Sequence, residues 1–362
     1  MEKIKRFVDC YIPTETCNLR CHYCYITQKR KFNSKLVNFS HSPETIRAAL
    51  SRERLGGVSL INLCAGGETL LSEELLKVTH ALIDEGHYVM IVTNGTLCGR
   101  FDQIAEWGRE VLSHLFFKFS FHFLELERLG MMDRFFENVQ KMKDAGASFT
   151  VEITPSDELI PRIEDVKAVC MEKLGAFCHV TIARDDRTLG IDVLSDHDFE
   201  TYKQIWGQFD SELFAYKSEI FHKKRNEFCY AGDWTTCLNL ETGSLRQCYA
   251  GKELCNIYED ISAPIPFEAI GHGCPMPHCY NGHAFLALGV IPELEAPTYA
   301  DLRNRVCKDG SEWLVPEMKA FMNTKVGESN CPYSHLKRMK IRAFREGSLL
   351  YRFKRKLTGK GR

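Results

Sequence analysis

Three cysteines in one short segment near the N-terminus are the residues most suited to chemistry. Residues 14–25 read T-E-T-C-N-L-R-C-H-Y-C-Y, so Cys17, Cys21 and Cys24 are separated by three and then two residues. Three thiolates on so short a loop can converge on one inorganic centre. A [4Fe–4S] cluster normally takes four protein thiolates, so three leave one iron without a protein ligand. Catalytic metal sites keep such an open position, and the segment therefore predicts a reactive iron–sulfur centre.

Cysteines return densely in the second half of the chain. The segment that begins at Cys229 contains a hairpin signal, Glu241-Thr242-Gly243, between two strand-like runs. A proline-containing loop further on, G-H-G-C-P-M-P-H-C-Y-N-G-H, brings Cys274 and Cys279 together. These cysteines, together with Cys237, Cys248 and Cys255, indicate a second metal-binding region. A structural zinc site is the alternative for both cysteine groups, with His22 or Cys10 as a fourth ligand in the first.

Alternating strands and helices must position these groups. Strands are predicted at Arg6–Pro13, Val58–Cys64, His87–Thr93, Phe116–Ser120, Phe149–Thr154 and His179–Ala183. Helices are predicted at Ser42–Arg54, from Ser72, at Asp102–Ser113 and at Ile160–Leu174. Six β/α units imply parallel strands joined by right-handed crossovers. The predicted fold is α/β, a partial (β/α)6 TIM-like barrel with its chemistry at the carboxyl ends of the strands.

A division into four parts follows from this pattern. Residues 1–210 form the partial barrel and residues 211–228 a helical bridge. Residues 229–335 form a small cysteine-rich domain with a β-hairpin, and residues 336–362 form a basic amphipathic tail. From residue 337 onward the chain has eleven Lys or Arg and one acid, Glu346. A basic amphipathic helix can contact an anionic membrane surface, although a helix packed on the core with a solvated basic face explains the same pattern.

Composition limits the class of protein. The chain has 362 residues, a net charge of −1 and 16 cysteines, but no apolar run at the start that resembles a signal peptide. No stretch approaches the roughly 20 apolar residues of a membrane span. Many cysteines without a secretion signal indicate metal or cluster chemistry, not disulfides. We expect a protein of an oxygen-poor cytoplasm, without a nucleic-acid partner.

The first cysteine segment resembles the signature of the radical S-adenosylmethionine (radical SAM) enzymes, C-x3-C-x-aromatic-C, with Tyr23 in the aromatic position. In that family the open iron binds S-adenosylmethionine, and one electron from the cluster yields a 5′-deoxyadenosyl radical that abstracts hydrogen from a substrate. The resemblance implies a cofactor pocket at the strand ends. Its residues would be Tyr23, Gly66, Gly67, Glu68, Thr93, Asn94, Ser120, His122, Glu152 and Arg184.

The resemblance assigns roles to several of these residues. The G-G-E of Gly66, Gly67 and Glu68 would hold the methionyl amine, and the T-N-G-T that begins at Thr93 would lie near the adenosine. Ser120 would approach the ribose or the carboxylate, and Arg184 would lie near the methionine carboxylate. His122 has an alternative role as a hydrogen-bonded neighbour that does not touch the cofactor.

The second cysteine field resembles the auxiliary-cluster extensions called SPASM, with two extra clusters, and twitch, with one. Cys229, Gly243 and Cys248 match the C-x(9–15)-G-x4-C opening of this extension. The later C-x2-C-x5-C-x3-C run of a full SPASM domain is absent, because only Cys274 and Cys279 remain, with isolated Cys307 and Cys331 beyond. The departure favours one auxiliary [4Fe–4S] cluster, for which the resemblance implies Cys229, Cys248, Cys274 and Cys279 as ligands, with Cys237 and Cys255 as the next candidates.

The resemblance implies an oxidoreductase that modifies a peptide or protein by oxidation, crosslinking or epimerisation, with flavodoxin or ferredoxin as electron donor. The first strand begins near Arg6, which leaves no room before it for the leader-binding domain of many peptide-modifying members. Dehydrogenation or epimerisation of a carbohydrate or other small molecule is therefore the second hypothesis. A protein that binds zinc or uses iron–sulfur clusters only as a redox sensor is a third, although a sensor needs no S-adenosylmethionine pocket.

Overall fold

One large sheet organises the molecule. The computed structural model describes residues 2–188 and 190–343. Nine strands form this sheet in the order β11-β10-β9-β1-β2-β3-β4-β5-β6, and β7 and β8 form a separate pair. The strands are β1 (Arg6–Ile12), β2 (Ser59–Ala65), β3 (Tyr88–Thr93), β4 (Leu115–Phe121), β5 (Ser148–Ile153), β6 (His179–Val180), β7 (Arg184–Asp185), β8 (Asp192–Val193), β9 (Thr235–Asn239), β10 (Ser244–Arg246) and β11 (Glu253–Asn256).

Fourteen α-helices lie among the described residues, and those between β1 and β6 connect the parallel strands and cover the outer face of the sheet. They are α1 (Tyr25–Gln28), α2 (Pro43–Ala49), α3 (Arg52–Leu55), α4 (Glu74–Asp84), α5 (Cys98–Ala105), α6 (Arg109–Ser113), α7 (Phe123–Arg128), α8 (Met132–Ala145), α9 (Ile163–Leu174), α10 (Phe199–Gly207), α11 (Glu212–Ile220), α12 (Gly282–Phe285), α13 (Pro316–Met322) and α14 (His335–Ala343). Because β1 to β6 pair in chain order and all in parallel, the predicted α/β fold with a partial barrel is confirmed.

Three predicted elements have different bounds. The helix predicted over Ser42–Arg54 is two helices, because the Ser51 hydroxyl accepts from the Arg54 amide and starts α3 anew. The helix predicted at Asp102–Ser113 is also divided, into α5 and α6, with Gly108 in extended backbone before α6. The sixth strand stops at Val180, and the Ala183 amide donates to the Tyr202 hydroxyl instead of to a neighbouring strand.

The second cysteine region shares the barrel's sheet. β9 pairs in parallel with β1 on the side opposite β2, and β9, β10 and β11 form an antiparallel meander whose first turn is the predicted hairpin around Gly243. The proposed boundary at residue 229 stays a prediction. Hydrogen bonds of the sheet nevertheless run across it, so β1 supports both cysteine groups.

Side-chain alternation divides the barrel strands between two apolar cores. On β4, Phe117, Phe119 and Phe121 face outward and pack against the helices, including α8. On its inner face, Phe116 belongs to the second core, which residues of α12 and α13 complete. Lys118 follows on the same inner face, two residues nearer the carboxyl end. Apolar residues thus fill the amino-terminal half of the barrel, and polar residues line the other half.

The basic tail lies partly within the described residues. α14 is its first part, and Arg338 in this helix donates to the Tyr230 hydroxyl and pairs with Glu293 at 3.0 Å. Leu336 and Met339 are exposed. The rest of the predicted amphipathic segment, from Phe344 onward, lies outside the described residues. No helix within residues 2–188 and 190–343 is long and apolar enough to cross a membrane.

Buried His87 predicts acid-sensitive stability. Its Nε2 lies 2.8 Å from the Leu50 carbonyl oxygen and its Nδ1 accepts from the Ser59 amide at 3.1 Å. Burial lowers the pKa of His87 to about 4, so between pH 6.5 and 4 the unfolded chain binds a proton that the folded chain refuses. The contribution of His87 to the free energy of unfolding is therefore complete above pH 6.5. It is lost as the pH falls, by about 1.4 kcal/mol per pH unit.

We expect His87→Gln to flatten the pH dependence of the unfolding free energy between pH 5 and 7, measured by anaerobic urea denaturation. His80→Gln, at an exposed position on α4, is the control and should keep the wild-type slope. Equal slopes for wild type and His87→Gln would contradict a neutral His87 in the folded protein.

Candidate active site

The three cysteines of the first segment line one cavity at the carboxyl ends of β1 to β4. The loop after β1 carries Cys17, Cys21 and Cys24, and none of these thiols is in a disulfide. Most of the predicted pocket residues line the same cavity, namely Gly66, Gly67, Glu68, Thr93, Asn94, Ser120 and His122. The topology therefore brings four separate sequence signals to one place.

Burial dominates the electrostatics of these thiols. It raises the pKa of Cys17 to about 11, and the charges of Glu68 and Cys24 add to the effect. Burial also raises the pKa values of Cys21 and Cys24. Metal binding to thiols requires their deprotonation. Because burial disfavours the thiolates, a bound cationic centre must stabilise their negative charge. Two weak donors already face Cys17, the Leu19 amide at 3.4 Å and Asn94 Nδ2 at 3.8 Å.

The Gly66-Gly67 turn is pressed against the backbone of the cysteine loop. The Gly67 amide donates to the Thr14 carbonyl at 2.6 Å, and the Glu68 amide donates to the Thr16 carbonyl at 2.9 Å. A Cβ at Gly67 would lie 1.9 Å from the Thr16 carbonyl oxygen, closer than any real contact. The absence of a side chain at these glycines admits the loop that carries the cysteines.

The Glu68 carboxylate joins the turn after β2 to the turn after β3. Its Oε1 accepts from the Leu70 amide at 3.0 Å and from the Thr93 hydroxyl at 2.7 Å, and its Oε2 accepts from the Asn94 amide at 2.7 Å. A carboxylate has about four acceptor positions, so three internal bonds leave one for a ligand. Burial raises the pKa of Glu68, and these hydrogen bonds oppose the rise.

The Thr93–Thr96 turn also holds the cysteine loop directly. Asn94 Nδ2 donates to Asn18 Oδ1 at 2.8 Å, and Asn18 Nδ2 donates to the Thr96 hydroxyl at 2.8 Å. Gly95 in this turn has a φ of +74°, and a Cβ there would lie 2.8 Å from the Phe135 ring. The turn requires glycine for both reasons.

Tyr23 and His122 form a buried pair beside the cavity. The Tyr23 hydroxyl lies 2.7 Å from His122 Nδ1. Burial, and then the charge of Lys118, lowers the pKa of His122 to about 4, so this imidazole is neutral near pH 7. His122 lines the cavity and also fixes the aromatic residue of the cysteine motif, which unites the two roles that the sequence left open.

Glu152 and Arg184 are not among the residues that line this cavity, and their roles at the cofactor stay predictions. Glu152 is buried on β5, where it pairs with Arg303 and, at 3.2 Å, with Lys118. Arg184 lies on β7 and lines a second cavity. Arg303 is 151 residues away from Glu152 in sequence, and no local pattern in the sequence indicates such a partner.

Other residues that support the loop were not foreseen. Glu125 of α7 accepts from the Arg20 amide at 2.8 Å, and Thr27 donates to the Cys21 carbonyl at 2.7 Å. Gln28 Nε2 donates to the Tyr23 carbonyl at 2.7 Å and to the Arg184 carbonyl at 3.0 Å. Glu125 lies just after the carboxyl end of the fourth strand, and this position could have indicated that it lies near the cysteine loop.

The second cysteine field also contains a convergent group. Burial, and then the charges of Cys279, Cys248 and Cys274, raise the pKa of Cys229, so the four favoured ligands act on one another electrostatically. Cys229 is tied to Gly271 by a pair of backbone hydrogen bonds at 3.1 and 3.0 Å, which brings the hairpin segment to the proline-containing loop.

The two reserve cysteines differ. Burial and the charges of Asp9, Cys248, Cys10 and Cys279 raise the pKa of Cys237, so Cys237 adjoins the group. Burial also raises the pKa of Cys255, but the charges that act on this thiol are those of Arg54, Glu253 and Glu259 and not those of the clustered cysteines. Cys255 lies on β11, paired with Leu245, on the far side of the hairpin.

A buried carboxylate separates the two cysteine groups. Asp9 on β1 accepts from Asn62 Nδ2 at 2.6 Å, from the Tyr249 hydroxyl at 2.5 Å and from Asn281 Nδ2 at 2.9 Å. Tyr249 follows Cys248, and Asn281 lies two residues after Cys279. Asp9 thus connects the barrel to both ligand-bearing loops of the second field.

No three or more Cys, His, Asp or Glu side chains within residues 2–188 and 190–343 are close enough to hold a single metal ion. A four-iron cluster binds its thiolates at separate corners, so its ligands need not meet at one atom. The donor set of the first cavity, three thiols beside a carboxylate with one acceptor position left, fits such a cluster together with a small cationic ligand.

Comparisons with known proteins agree with this geometry. Residues 11–157 match the model of the Radical SAM superfamily. This part of the chain is similar to the radical SAM domain. The superfamily uses a [4Fe–4S] cluster and S-adenosylmethionine, the two cofactors predicted for the core. No curated protein matches the sequence in a search of such proteins.

Solved structures resemble the whole fold. The structure of anSMEcpe with bound AdoMet is 15% identical and has a TM-score of 0.51, with 71% of this chain and 76% of that chain covered. The structure of SuiB from Streptococcus suis is also 15% identical, with a TM-score of 0.49 and coverage of 71% and 64%. The chain therefore spans less than two thirds of SuiB. At this identity the likeness concerns the fold alone.

We expect Gly67→Ala to displace the cysteine loop, because the added methyl group overlaps the Thr16 carbonyl. After anaerobic reconstitution, iron bound per chain should fall by about four, the content of one [4Fe–4S] cluster, and 5′-deoxyadenosine formation should cease. Iron and sulfide analysis measures the first effect and chromatography of the nucleoside the second.

Gly99→Ala is the matched control for that variant. Gly99 lies in α5 with no atom within 4 Å of the added Cβ, so the substitution should leave bound iron unchanged and stabilise the helix by up to about 1 kcal/mol. Full iron in Gly67→Ala would show that the contact does not position the cysteines.

Proposed function

We propose that the protein is a radical SAM enzyme that abstracts hydrogen from a peptide or protein substrate. The observation that carries the proposal is the meeting of Cys17, Cys21 and Cys24 with Glu68 in one cavity at the strand ends. When bound and reduced, the cluster and S-adenosylmethionine would supply a 5′-deoxyadenosyl radical. The residues of the chain would bind and orient the cofactors and exclude water.

The cavity residues have distinct tasks in this proposal. The three thiolates hold the cluster, and the free acceptor position of Glu68 receives the methionyl ammonium group. Thr93 and Asn94 fix that carboxylate, because each donates to one of its oxygens at 2.7 Å. Leu19, Ile26 and Phe32 line the same cavity, and their apolar side chains keep water from the reacting atoms.

An auxiliary [4Fe–4S] cluster on Cys229, Cys248, Cys274 and Cys279 belongs to the proposal. Such a cluster can accept the electron that a substrate radical gives up, which would make the net reaction an oxidation. Its reduction potential depends on burial and on hydrogen bonds to the sulfurs. A reduced flavodoxin or ferredoxin would supply the electron that starts each turnover.

The substrate class rests on the resemblance of the second cysteine field. Enzymes with SPASM or twitch extensions often modify ribosomally made peptides, and one SuiB structure is described as bound to precursor peptide SuiA. We place peptide oxidation, crosslinking or epimerisation first for this chain. Neither the peptide nor the new bond is identified by the fold.

Anaerobic reconstitution with iron and sulfide tests the proposal. We expect about eight irons per chain, the content of two [4Fe–4S] clusters, and 5′-deoxyadenosine after reduction in the presence of S-adenosylmethionine. Stoichiometric zinc without cleavage of S-adenosylmethionine would contradict the proposal and favour a non-catalytic metal protein.

Substitution of one auxiliary ligand should remove the iron of the auxiliary cluster and leave the other cluster in place. Cys279→Ser should lower bound iron from about eight to about four per chain while S-adenosylmethionine cleavage persists. Cys255→Ser, on the far side of the hairpin, is the control and should keep about eight. Equal iron in both variants would contradict the ligand set.

A further inference from the structure

A second cavity is lined by two cationic side chains, Arg184 and Lys217. His283 and Cys279 of the auxiliary group also line it, and the lowered pKa of His283 leaves this imidazole neutral near pH 7. Lys118 on the inner face of β4 adds a further cation, because its charge lowers the pKa of both Lys217 and His283.

The described side chains whose charges act on Lys217 and His283 are cations. After burial, the influences that lower the pKa of Lys217 are the charges of Lys118 and Arg184, both positive. Those that act on His283 are the charges of Lys217, Lys118 and Arg184. The buried carboxylate of Glu152 does not balance them, because it is already shared by Lys118 and Arg303.

Lys217 has donors to spare. Its ammonium group donates to the Thr181 hydroxyl, which leaves two of its three N–H groups for another partner. Among the described residues no carboxylate forms an ion pair with Lys217 or Arg184. Removing a cation from water without a counter-charge is costly, and an anion in the cavity would offset this cost for several cations at once.

The position of the cavity relates it to both cysteine groups. Gln28, in the helix that follows the cluster loop, donates through Nε2 to the carbonyls of Tyr23 and Arg184. The strand that carries Arg184 is therefore tied to the loop of the radical cluster. On the other side, Cys279 of the auxiliary group lines the cavity. Both cysteine-bearing loops are thus connected to residues of this cavity.

We propose that the substrate carries an anionic group, the carboxylate of an acidic residue in a peptide, that binds Lys217, Arg184 and His283 in this second cavity and so presents a neighbouring C–H bond to the radical site. The inference rests on the proposed function and refines its substrate class. A phosphate group has the same charge chemistry, and the experiment below separates the two sources.

The test measures the melting temperature of the reconstituted protein at constant ionic strength, with saturating S-adenosylmethionine present throughout. N-acetyl-glutamate amide should raise the melting temperature by at least about 2 °C, and the neutral N-acetyl-glutamine amide should not. Inorganic phosphate forms the other arm. A shift with phosphate alone supports the anion site with a phosphate-bearing substrate in place of an acidic peptide.

Substitutions localise the effect. Lys217→Met should abolish the shift without lowering the melting temperature of the anion-free protein, because it replaces an unbalanced buried charge by an apolar side chain. Lys217→Arg should retain the shift, and Arg184→Gln should reduce it. Lys223→Met, at an exposed position just beyond α11, is the control and should behave as wild type.

Two outcomes would overturn the inference: the anions do not shift the melting temperature of the wild type, or Lys217→Met responds to them as the wild type does. Substrate-free cleavage of S-adenosylmethionine is a separate readout and should be unchanged in the control Lys223→Met. Its absence from every variant would contradict the proposed function and leave the anion measurement intact.

Discussion

The close approach of the Gly66-Gly67 turn to the cysteine loop is the constraint on which the rest of the site depends. Two amides of the turn donate to carbonyls of the loop, and no side chain fits between the two backbones. Parallel pairing of β1 and β2 brings the two segments to the same edge of the sheet. Glu68 then connects this contact to the turn after β3 through Thr93 and Asn94. The positions of three thiols are thus set by backbone contacts between strands that neighbour each other in the sheet.

The sheet also explains how two cysteine groups come to face one barrel. β1 carries the radical loop at its carboxyl end and pairs with β9 at its free edge. Asp9, on the same strand, accepts hydrogen bonds from Tyr249 and Asn281, which lie beside ligands of the second group. The apolar residues of α12 and α13 fill the amino-terminal half of the barrel, so the chemistry is confined to the other end.

The sequence was sufficient for features that depend on local pattern. Strand periodicity predicted the order and the parallel pairing of β1 to β6, and turn residues after each strand predicted the lining of the cavity. The divided helices were missed because a serine such as Ser51 can cap a new helix or continue an old one. The surroundings of Glu152 and Arg184 could not be predicted, because they come from segments distant in sequence, such as the one that carries Arg303, and their cofactor roles stay predictions.

The cationic cavity also could not be predicted from the sequence, because it depends on packing between distant segments. Lys217 and His283 lie on short helices whose periodicity indicates only a buried face, and nothing local shows that both face Lys118. Lys118 itself was a usable signal, as a charged residue between phenylalanines in an inner strand position. The convergence of four of the six clustered cysteines likewise depends on the bridge between Cys229 and Gly271, which no spacing rule contains.

Anomalous diffraction at the iron edge, from anaerobically grown crystals of the reconstituted protein with S-adenosylmethionine, tests the central claim most directly. The account predicts iron density among Cys17, Cys21 and Cys24, with one iron bound by the cofactor and by no side chain. A fourth protein ligand on that cluster, or density at the zinc edge in its place, would contradict radical chemistry at this site.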